Sequence, residues 1–517
     1  MRYLGSGDTE PAELLPISVL REGDLDFDEF VGGADLPYPY RRVNGRVVSA
    51  YSVLPGLANV PVFAAADLLG VDLVGQRLLL SLVTASLLCA AASLFLYAAL
   101  RNLGSSRGQA LCFALVFALA TCVWSVAARG MWQHGPSLLL LCLALALLSS
   151  EGGRVPWAGL ALGLAVVTRP TNVLIALPLA AFVWARHRRA VLPFLALAAV
   201  PAGLIAVYSA AYLADPLAFG QAYTPGGFGG NVPLGLAGLL ASPSRGLFVF
   251  SPVLLFSAAG AAVAVRRREP LPVALVAGTL LVLLLYSRWG MWWGGVGFGY
   301  RLLIELLPGL VVLLAIAWRE VIAPQATMRL VFAVLLAASV AVHALGAFVY
   351  PSRFNENLDL EPGRLWSWKE SELALLIRKL AGEAGAPPAD SNATVPVPAV
   401  WWTPERNDDA IPGWLDASPG GRTVRGPLAV SGWARSASGD VDVRLVFDDG
   451  RTVAPERYPR PDVSAAIPAL GDASRAGFRA EVPAPSGPLR PRALVVEMRS
   501  PSGRVRRLGP IRFTWGP

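Results

Sequence analysis

The feature that most constrains this chain is a succession of apolar runs between residues 77 and 350, several of them long enough to cross a bilayer. A transmembrane helix needs about 20 consecutive, mostly apolar residues. A soluble globular chain contains about 25% charged residues, whereas 15% of these 517 residues are charged and 54% are hydrophobic. The sequence therefore predicts a polytopic α-helical membrane protein.

We place about ten spans in this region, each on one apolar run. Several runs are shorter than the usual length of about 20 residues, so the boundaries are approximate. The weaker run at 57–69, which contains Pro61 and Asp67, is predicted to be an interfacial or re-entrant helix. The ten predicted spans are 77–100, 108–128, 136–150, 155–168, 171–186, 191–213, 246–265, 271–287, 302–318 and 327–349.

Arginines in the connections between the spans predict the orientation. Cytoplasmic loops are enriched in Lys and Arg, so the connections with clustered arginines are expected in the cytoplasm. The alternate connections, with single arginines, are then outside, together with both ends of the chain. The clusters comprise Arg101, Arg107, Arg154, Arg186, Arg188, Arg189, Arg266, Arg267, Arg268, Arg319 and Arg329, and the single arginines are Arg129, Arg169, Arg245, Arg288 and Arg301.

This orientation leaves two alternatives for the N-terminal residues. Residues 1–76 need a preceding span to reach the outer side, and we expect one upstream of Met1. Alternatively, the run at 57–69 crosses the membrane and the N-terminal acids are cytoplasmic.

Charge and cysteine usage exclude other classes. The formal net charge is +8, but the arginines lie in short clusters between apolar runs, which argues against a nucleic-acid partner. The four cysteines all lie inside apolar runs without disulfide or metal-ligand spacing. They are Cys89, Cys112, Cys122 and Cys142.

The pattern changes after Tyr350. Residues 351–399 form a polar linker with a short amphipathic helix predicted at 370–381 and a proline-rich stretch after it. Residues 400–517 contain short alternating runs such as 441–447 and 493–498, separated by Gly and Pro turns. Such strands predict a C-terminal β-sandwich outside the membrane. Together with the N-terminal region at 1–76 and the helical domain at 77–350, this gives four segments.

The first 30 residues contain eight carboxylates, of which Asp8 is the most distinctive because it lies in a Gly-Asp-Thr turn. A carboxylate at a membrane surface can accept a proton from a hydroxyl or hold a divalent cation. Asp24, Asp26 and Asp28 are more simply explained as solvated loop or capping residues.

The predicted outer loops gather aromatic residues, glycines, single arginines and a histidine. Arg169 is followed by a proline and lies between two closely spaced apolar runs, which favours a guanidinium that faces the interior and binds a phosphate. Arg129 and Arg301 are weaker candidates, and Arg245 and Arg288 are explained by anchoring at the lipid boundary.

Several other residues of these loops admit both a structural and a functional interpretation. His134, in a Trp132-Gln133-His134-Gly turn, is either a satisfied structural histidine or a site residue. Trp292 and Trp293 fit an interfacial aromatic belt or a platform for a sugar ring. Tyr300 closes the same loop.

The order of four motifs resembles the GT-C superfamily of polytopic glycosyltransferases, which use polyprenyl-phosphate sugars. The resemblance covers about residues 5–350 and is to the branch that contains protein O-mannosyltransferases and the aminoarabinose lipid A transferase. The motifs are the Gly-Asp-Thr acid, Ser49-Ala-Tyr-Ser-Val-Leu-Pro55, Gln76-Arg77-Leu78 and Thr168-Arg-Pro-Thr-Asn172.

The resemblance implies roles for the candidate residues. Asp8 would be the general base, with Glu10 as a nearby second acid of undefined role. Arg169, and Arg129 or Arg301, would bind the lipid phosphate. The outer-loop residues Trp132, Gln133, His134, Trp292, Trp293 and Tyr300 would contact substrate.

The implied function is transfer of a sugar from a polyprenyl-phosphate donor to a hydroxyl of a glycan, lipid or protein at the outer face of the bacterial inner membrane. Inversion at the anomeric carbon is expected, and no metal or other cofactor is required. The family's first span and an Asp-Glu pair are both absent around Asp8, so protein is not favoured as the acceptor. The alternative is a glycolipid transporter or flippase, for which internal repeats and spans broken at the midplane would be typical.

Overall fold

The computed structural model describes two compact units. The described residues up to 350 form the first unit and those from 362 onward form the second. The described residues are 5–31, 36–37, 39–150, 153–215, 228–295, 297–350, 362–381, 413–417, 423–436, 439–459, 474–501, 503 and 505–516. Residues 216–227 and most of the linker at 351–399, including its proline-rich stretch, lie outside them.

The first unit is helical. Its α-helices are α1 (Glu10–Arg21), α2 (Leu54–Leu68), α3 (Arg77–Asn102), α4 (Arg107–Leu119), α5 (Cys122–Ser125), α6 (His134–Leu148), α7 (Val155–Thr168), α8 (Val173–Arg186), α9 (Val191–Tyr212), α10 (Val232–Ala241), α11 (Leu247–Phe250), α12 (Leu255–Arg267), α13 (Pro270–Ser287), α14 (Leu307–Ala317) and α15 (Ala326–Phe348). Short 3₁₀ turns cover Ala127–Arg129, Pro170–Asn172, Arg188–Ala190, Pro252–Leu254 and Arg301–Leu306, and a π-helical turn covers Trp318–Ile322.

Helices coincide with all ten predicted spans, and α7 matches its predicted limits of 155–168. Among the described residues, five helical segments are long and apolar enough to cross a bilayer, or six if the pair Arg107–Leu119 and Cys122–Arg129, bent by 41°, is one span. Five further apolar helices are shorter. The number of spans therefore stays a prediction.

The predicted span at 246–265 is not one continuous helix. It is divided into α11, a 3₁₀ turn and α12. The break lies at Ser251 and Pro252, and proline has no amide hydrogen with which to continue the helical bonding.

The N-terminal residues pack onto the helices as a small layer with its own core. Strands β1 (Tyr40–Val43) and β2 (Arg46–Ser49) form an antiparallel hairpin, and Asn44 and Gly45 turn it with φ of 51° and 87°. Asp28 accepts a hydrogen bond from the amide of Val47 at 2.6 Å, so this acid has a structural contact. The core of this layer includes Val167 of α7 and Ile205 of α9.

Helices α7 and α9 approach each other at two glycines spaced four residues apart. A Cβ atom at Gly159 or Gly163 would overlap the carbonyl oxygen of Phe194 or Ala198, respectively. Small residues at this spacing allow helix backbones to pack closely inside a membrane.

The second unit contains a short helix and two sheets. Helix α16 (Glu372–Leu380) lies within the predicted amphipathic segment. In the described residues, one sheet has the order β3-β5-β10-β9, with β6 beside β5, and the other has the order β4-β12-β11-β7-β8. The strands are β3 (Gly413–Ala417), β4 (Thr423–Arg425), β5 (Leu428–Ser436), β6 (Gly439–Asp440), β7 (Asp442–Phe447), β8 (Thr452–Val453), β9 (Glu456–Tyr458), β10 (Gly477–Val482), β11 (Arg490–Arg499) and β12 (Val505–Gly516).

One apolar core joins the two sheets, as in a β-sandwich. Val430 and Phe478 from the first sheet are buried with Leu445, Val496 and Trp515 from the second. Inward-facing residues of both sheets form the core of such a fold. The predicted combination of apolar helices and a C-terminal β-sandwich is confirmed.

Candidate active site

A cavity of about 230 Å³ opens where the N-terminal layer meets the ends of several helices. Residues far apart in the sequence line it, and the lining combines charged, aromatic and apolar side chains. They are Asp8, Arg41, Ser49, Ala50, Tyr51, Ser52, Trp132, Gln133, His134, Arg169, Pro170, Thr171, Ile205, Tyr208, Leu213, Phe228, Tyr286, Trp289, Arg301 and Leu302.

Asp8 is presented by a turn that immediately precedes α1. The amide of Asp8 donates to Ser6 Oγ at 3.2 Å, and the amide of Thr9 donates to the Ser6 carbonyl at 3.0 Å. The Thr9 hydroxyl lies 2.6 Å from Oε1 of Glu13, which is buried in α1. These bonds hold the Asp8 carboxylate at the cavity wall.

Two cavity residues contact this carboxylate. The Tyr51 hydroxyl donates to Oδ1 at 2.8 Å, and Arg301 Nη1 donates to Oδ2 at 2.9 Å. The Asp8 side chain remains 26% exposed, so a small hydroxyl compound can reach it from the cavity.

Arg301 is fixed between the carboxylate and an aromatic ring. Its guanidinium carbon lies 4.6 Å from the ring centroid of Trp132, a distance typical of a cation–π contact. Its Nη2 donates to the carbonyl of Gly294 at 2.5 Å, and Gly294 has a φ of +75° that favours glycine. The loop after α13 therefore helps to orient Arg301.

Arg169 projects into the cavity from the junction of α7 and α8. The following proline disfavours a helical backbone at Arg169, which is extended with φ −147° and ψ 108°. Its Nη2 donates to the Tyr286 hydroxyl at 2.7 Å and its Nε to the Thr171 hydroxyl at 3.3 Å. The guanidinium thus has fixed partners on two of its nitrogens.

A buried carboxylate lies beside Arg169. Oε1 of Glu305 is 2.7 Å from Nδ1 of His134 and 3.7 Å from Nη1 of Arg169. Burial alone lowers the pKa of Arg169, but the nearby Glu305 carboxylate and the Tyr286 hydroxyl raise it above its ordinary value. Arg169 therefore remains a cation at any physiological pH.

The structure brings together six of the residues predicted from the sequence. Five others lie outside the lining of the cavity. The six in the lining are Asp8, Arg169, Arg301, Trp132, Gln133 and His134, and the five outside it are Glu10, Arg129, Trp292, Trp293 and Tyr300.

Arg129 and Tyr300 are buried in the helical core instead. Arg129 Nη1 donates to the carbonyl of Gly346 at 2.6 Å, which ties the 3₁₀ turn at Ala127–Arg129 to the end of α15. The hydroxyl of Tyr300 lies 2.6 Å from that of Ser251, which in turn lies 2.8 Å from Nε2 of His343. Both predicted site residues thus make interhelical contacts.

Trp292 is buried within the protein, and Trp293 is partly buried. A Cβ atom at Gly238 would overlap the ring of Trp292, so this indole lies against α10. The Trp293 carbonyl accepts a hydrogen bond from Arg245 Nε at 3.2 Å. A different tryptophan of the same loop, Trp289, lines the cavity.

Glu10 lies on the first turn of α1 and away from the cavity. Burial and the nearby Glu13 raise its pKa, and Arg77 acts in the opposite direction.

Several residues of the site were not predicted from the sequence, including Tyr51, Tyr286, Trp289 and Glu305. Tyr51 lies within one of the motifs that carried the resemblance. Glu305 is a lone acid in the apolar run at 302–318, and an ionisable residue inside such a run is expected to face the protein interior and to have a partner.

The fold and site define a multi-pass membrane protein with a cavity in which a carboxylate faces arginines at the ends of helices. Among the residues that the structure describes, no three His, Cys, Asp or Glu side chains come together as a metal site.

No protein-family model matches the chain, and a search of curated proteins finds no match. Among solved structures, the chain is similar to ArnT from Cupriavidus metallidurans, which was crystallised bound to undecaprenyl phosphate. The two are 16% identical, the match covers 74% of this chain and 67% of that one, and the TM-score is 0.43. At this level the match does not by itself assign the chain to a family.

Proposed function

We propose that this protein is a membrane glycosyltransferase that moves a sugar from a polyprenyl-phosphate donor to a hydroxyl group of an acceptor. The observation that carries the proposal is that one cavity brings the Asp8 carboxylate together with Arg169 and Arg301. A carboxylate can accept the proton of an attacking hydroxyl, and guanidinium groups stabilise a departing phosphate.

The charges of the cavity suit an anionic donor. Among the residues that line it, Arg41, Arg169 and Arg301 are cationic and Asp8 is the one carboxylate. Glu305 does not belong to this lining, but its Oε1 lies 3.7 Å from Nη1 of Arg169. An excess of positive charge with low-dielectric walls attracts and holds an anion such as a phosphodiester.

An apolar groove beside the cavity suits a lipid chain. The groove, of about 470 Å³, lies between α7, α8 and α9, and Ile205 lines both the groove and the cavity. A polyprenyl chain could lie there with its phosphate at the arginines. The other lining residues of the groove are Leu162, Gly163, Val166, Val167, Val173, Ala176, Leu177, Ala180, Phe194, Leu195, Ala198, Ala202 and Ala206.

The proposed reaction uses this placement of the side chains. Asp8 takes the proton of the acceptor hydroxyl while the acceptor oxygen forms a bond to the anomeric carbon. The bond from that carbon to the phosphate oxygen breaks, and its electron pair stays on the phosphate beside Arg169 and Arg301. Attack from the side opposite the phosphate inverts the anomeric carbon. Holding both substrates in one cavity lowers the entropic part of the barrier.

The placement of the helices supports action at the outer face of a bacterial inner membrane. Helices α7, α8 and α9 each have residues of the cavity lining at or next to one end. The opposite ends of these helices are basic, with Arg154, Arg186 and Arg189, respectively. Because basic connections favour the cytoplasm, the cavity belongs on the opposite side. The acceptor at that side is a glycan, lipid or protein.

The second candidate is a glycolipid transporter or flippase. The bent pair of helices at 107–129 and the broken segment at 247–267 favour it, because discontinuous helices are typical of transporters. The charged residues, however, gather at helix ends.

The two candidates are separated by assaying the purified protein in liposomes with a set of polyprenyl-phosphate sugars and lipid or glycan acceptors. We expect transfer by the wild type and its loss in Asp8→Asn. Glu22→Gln is a matched control, since Glu22 is an exposed acid of the same N-terminal segment. Full activity of Asp8→Asn would remove Asp8 as the base. Translocation of a fluorescent glycolipid without transfer would instead support the transporter.

A further inference from the structure

Glu305 is an acid in an apolar environment. It lies in the 3₁₀ turn at Arg301–Leu306 with 5% exposure, among buried leucine and isoleucine side chains. A buried charge is costly unless it is paired and hydrogen-bonded. Its contacts to His134 at 2.7 Å and to Arg169 at 3.7 Å supply that pairing.

The contact with Glu305 determines which nitrogen of His134 carries the proton. An ionised carboxylate only accepts hydrogen bonds, so Nδ1, at 2.7 Å from Oε1, is the protonated nitrogen of the ring. A neutral ring also leaves the trio of Glu305, Arg169 and His134 with zero net charge in a buried place. Nε2 then has a lone pair that can accept a hydrogen bond.

Arg169 lies against the same imidazole ring. Its Nη1 is 3.1 Å from Nδ1 and 3.3 Å from Nε2 of His134. Because Nη1 is nearly equidistant from the two ring nitrogens, the guanidinium packs against the ring and does not point at the lone pair of either nitrogen. The imidazole and the guanidinium are therefore next to each other in the cavity wall, with Glu305 behind both.

We propose that Glu305 is a positioning residue that fixes His134 as an acceptor for a hydroxyl of the donor sugar and holds Arg169 beside it for the phosphate. This inference rests on the proposed transferase function for its substrate. A sugar joined to a phosphate carries hydroxyl groups close to that phosphate. An acceptor nitrogen directly beside a phosphate-binding guanidinium matches that arrangement of groups.

Glu305→Gln tests the inference because an amide can donate to Nδ1 and so favour the other tautomer. Nε2 would then carry the hydrogen and could not accept one from the sugar. We expect kcat/KM for transfer to fall roughly 10²-fold or more, as when the carboxylate behind a working histidine becomes an amide. Glu305→Asp keeps the charge but withdraws the carboxylate by one methylene. We expect its kcat/KM to fall less than that of Glu305→Gln.

A spectroscopic readout is independent of transfer. The sequence has three histidines, so ¹⁵N NMR of histidine-labelled protein is simple, and His134→Gln identifies the signals of His134. We expect the Nδ1–H form in the wild type and the Nε2–H form in Glu305→Gln. Glu320→Gln is the control, because Glu320 is paired with Arg267 outside the cavity.

The coupling between the two residues provides a second check. If Glu305 acts through His134, Glu305→Gln should lower kcat/KM much less in the His134→Gln background than in the wild type.

An unchanged tautomer of His134 together with an unchanged kcat/KM in Glu305→Gln would overturn the inference. If Glu305→Gln does not fold, the tautomer of His134 is read on the wild type alone, and an Nε2–H form there would overturn the inference. No transfer by the wild type with any donor would contradict the proposed function, while the NMR result would still decide the role of Glu305.

Discussion

Arg301 Nη1 lies 2.9 Å from Oδ2 of Asp8, so the proposed base and one of the proposed phosphate ligands form an ion pair in the cavity. In the proposed reaction, an anionic donor would compete with Asp8 for this guanidinium. If the phosphate drew Arg301 away, the carboxylate would lose a partner and become a better proton acceptor. The ion pair would therefore link donor binding to activation of the acceptor hydroxyl.

The first prediction concerns Arg301 itself. Arg301→Ala removes a group that we propose stabilises charge on the leaving phosphate, and losses of such groups cost about 10²–10³-fold in rate. We expect kcat/KM for transfer to fall by this order. Arg288→Ala is the control, because Arg288 is an exposed arginine of the same loop. Equal activity of both variants would contradict a role for Arg301 in the reaction.

The second prediction concerns the Tyr51 hydroxyl, which donates to the other oxygen of Asp8 at 2.8 Å. This bond fixes the orientation of the carboxylate, and a misplaced catalytic group can cost roughly 100-fold in rate, so Tyr51→Phe should lower kcat/KM roughly 10- to 100-fold. The ring is retained, and the thermal unfolding temperature should change little. A variant with the rate of the wild type would show that Tyr51 does not help to position the base.

The third prediction concerns the apolar groove. Ala202→Trp places an indole in the groove between α7, α8 and α9 and should raise KM at least ~10-fold for a full-length polyprenyl donor. A donor with a much shorter chain should be affected less. Leu192→Trp is the control, since Leu192 is exposed on the same helix and does not line the groove. An equal rise in KM for long and short donors would argue against a lipid in this groove.

The fourth prediction concerns the packing of α7 on α9. A Cβ at Gly163 overlaps the carbonyl oxygen of Ala198, whereas a Cβ at Gly203 on α9 meets nothing within 4 Å. Gly163→Ala should destabilise the protein by about 1–3 kcal/mol, as overpacking does. Gly203→Ala should be neutral or slightly stabilising. Thermal unfolding in detergent compares the two, and equal unfolding temperatures would contradict the close approach.

The positions of the helices were largely predictable because each apolar run is bounded by arginine, proline or glycine. Helix α7, for example, begins after Arg154 and ends before Arg169 and Pro170. The broken segment around Ser251 shows the limit of this reasoning. A hydropathy pattern does not reveal a single interrupted backbone hydrogen bond. Pro252, inside this apolar run, indicated that the helix could be interrupted there.

The site was predictable only in part, for a different physical reason. Asp8 and Arg169 were identified by their local turn and proline context. Glu305 and Tyr286 became site residues through contacts with residues more than 100 positions away, and a single sequence carries no information about such contacts. Similarly, turns with positive φ at Gly294 and Gly295 shape the loop in which Trp289, and not Trp292, lines the cavity.

The Asp8–Arg301 pair joins two positions 293 residues apart, and this has a consequence for biosynthesis. A nascent chain exposes the acid of the N-terminal turn long before the ribosome has added its guanidinium partner. The two can meet only after most of the helical unit has been synthesised and inserted. An unfinished chain therefore lacks the complete charge arrangement, and a truncation before Arg301 would leave an acid without the cation that pairs with it in the finished protein.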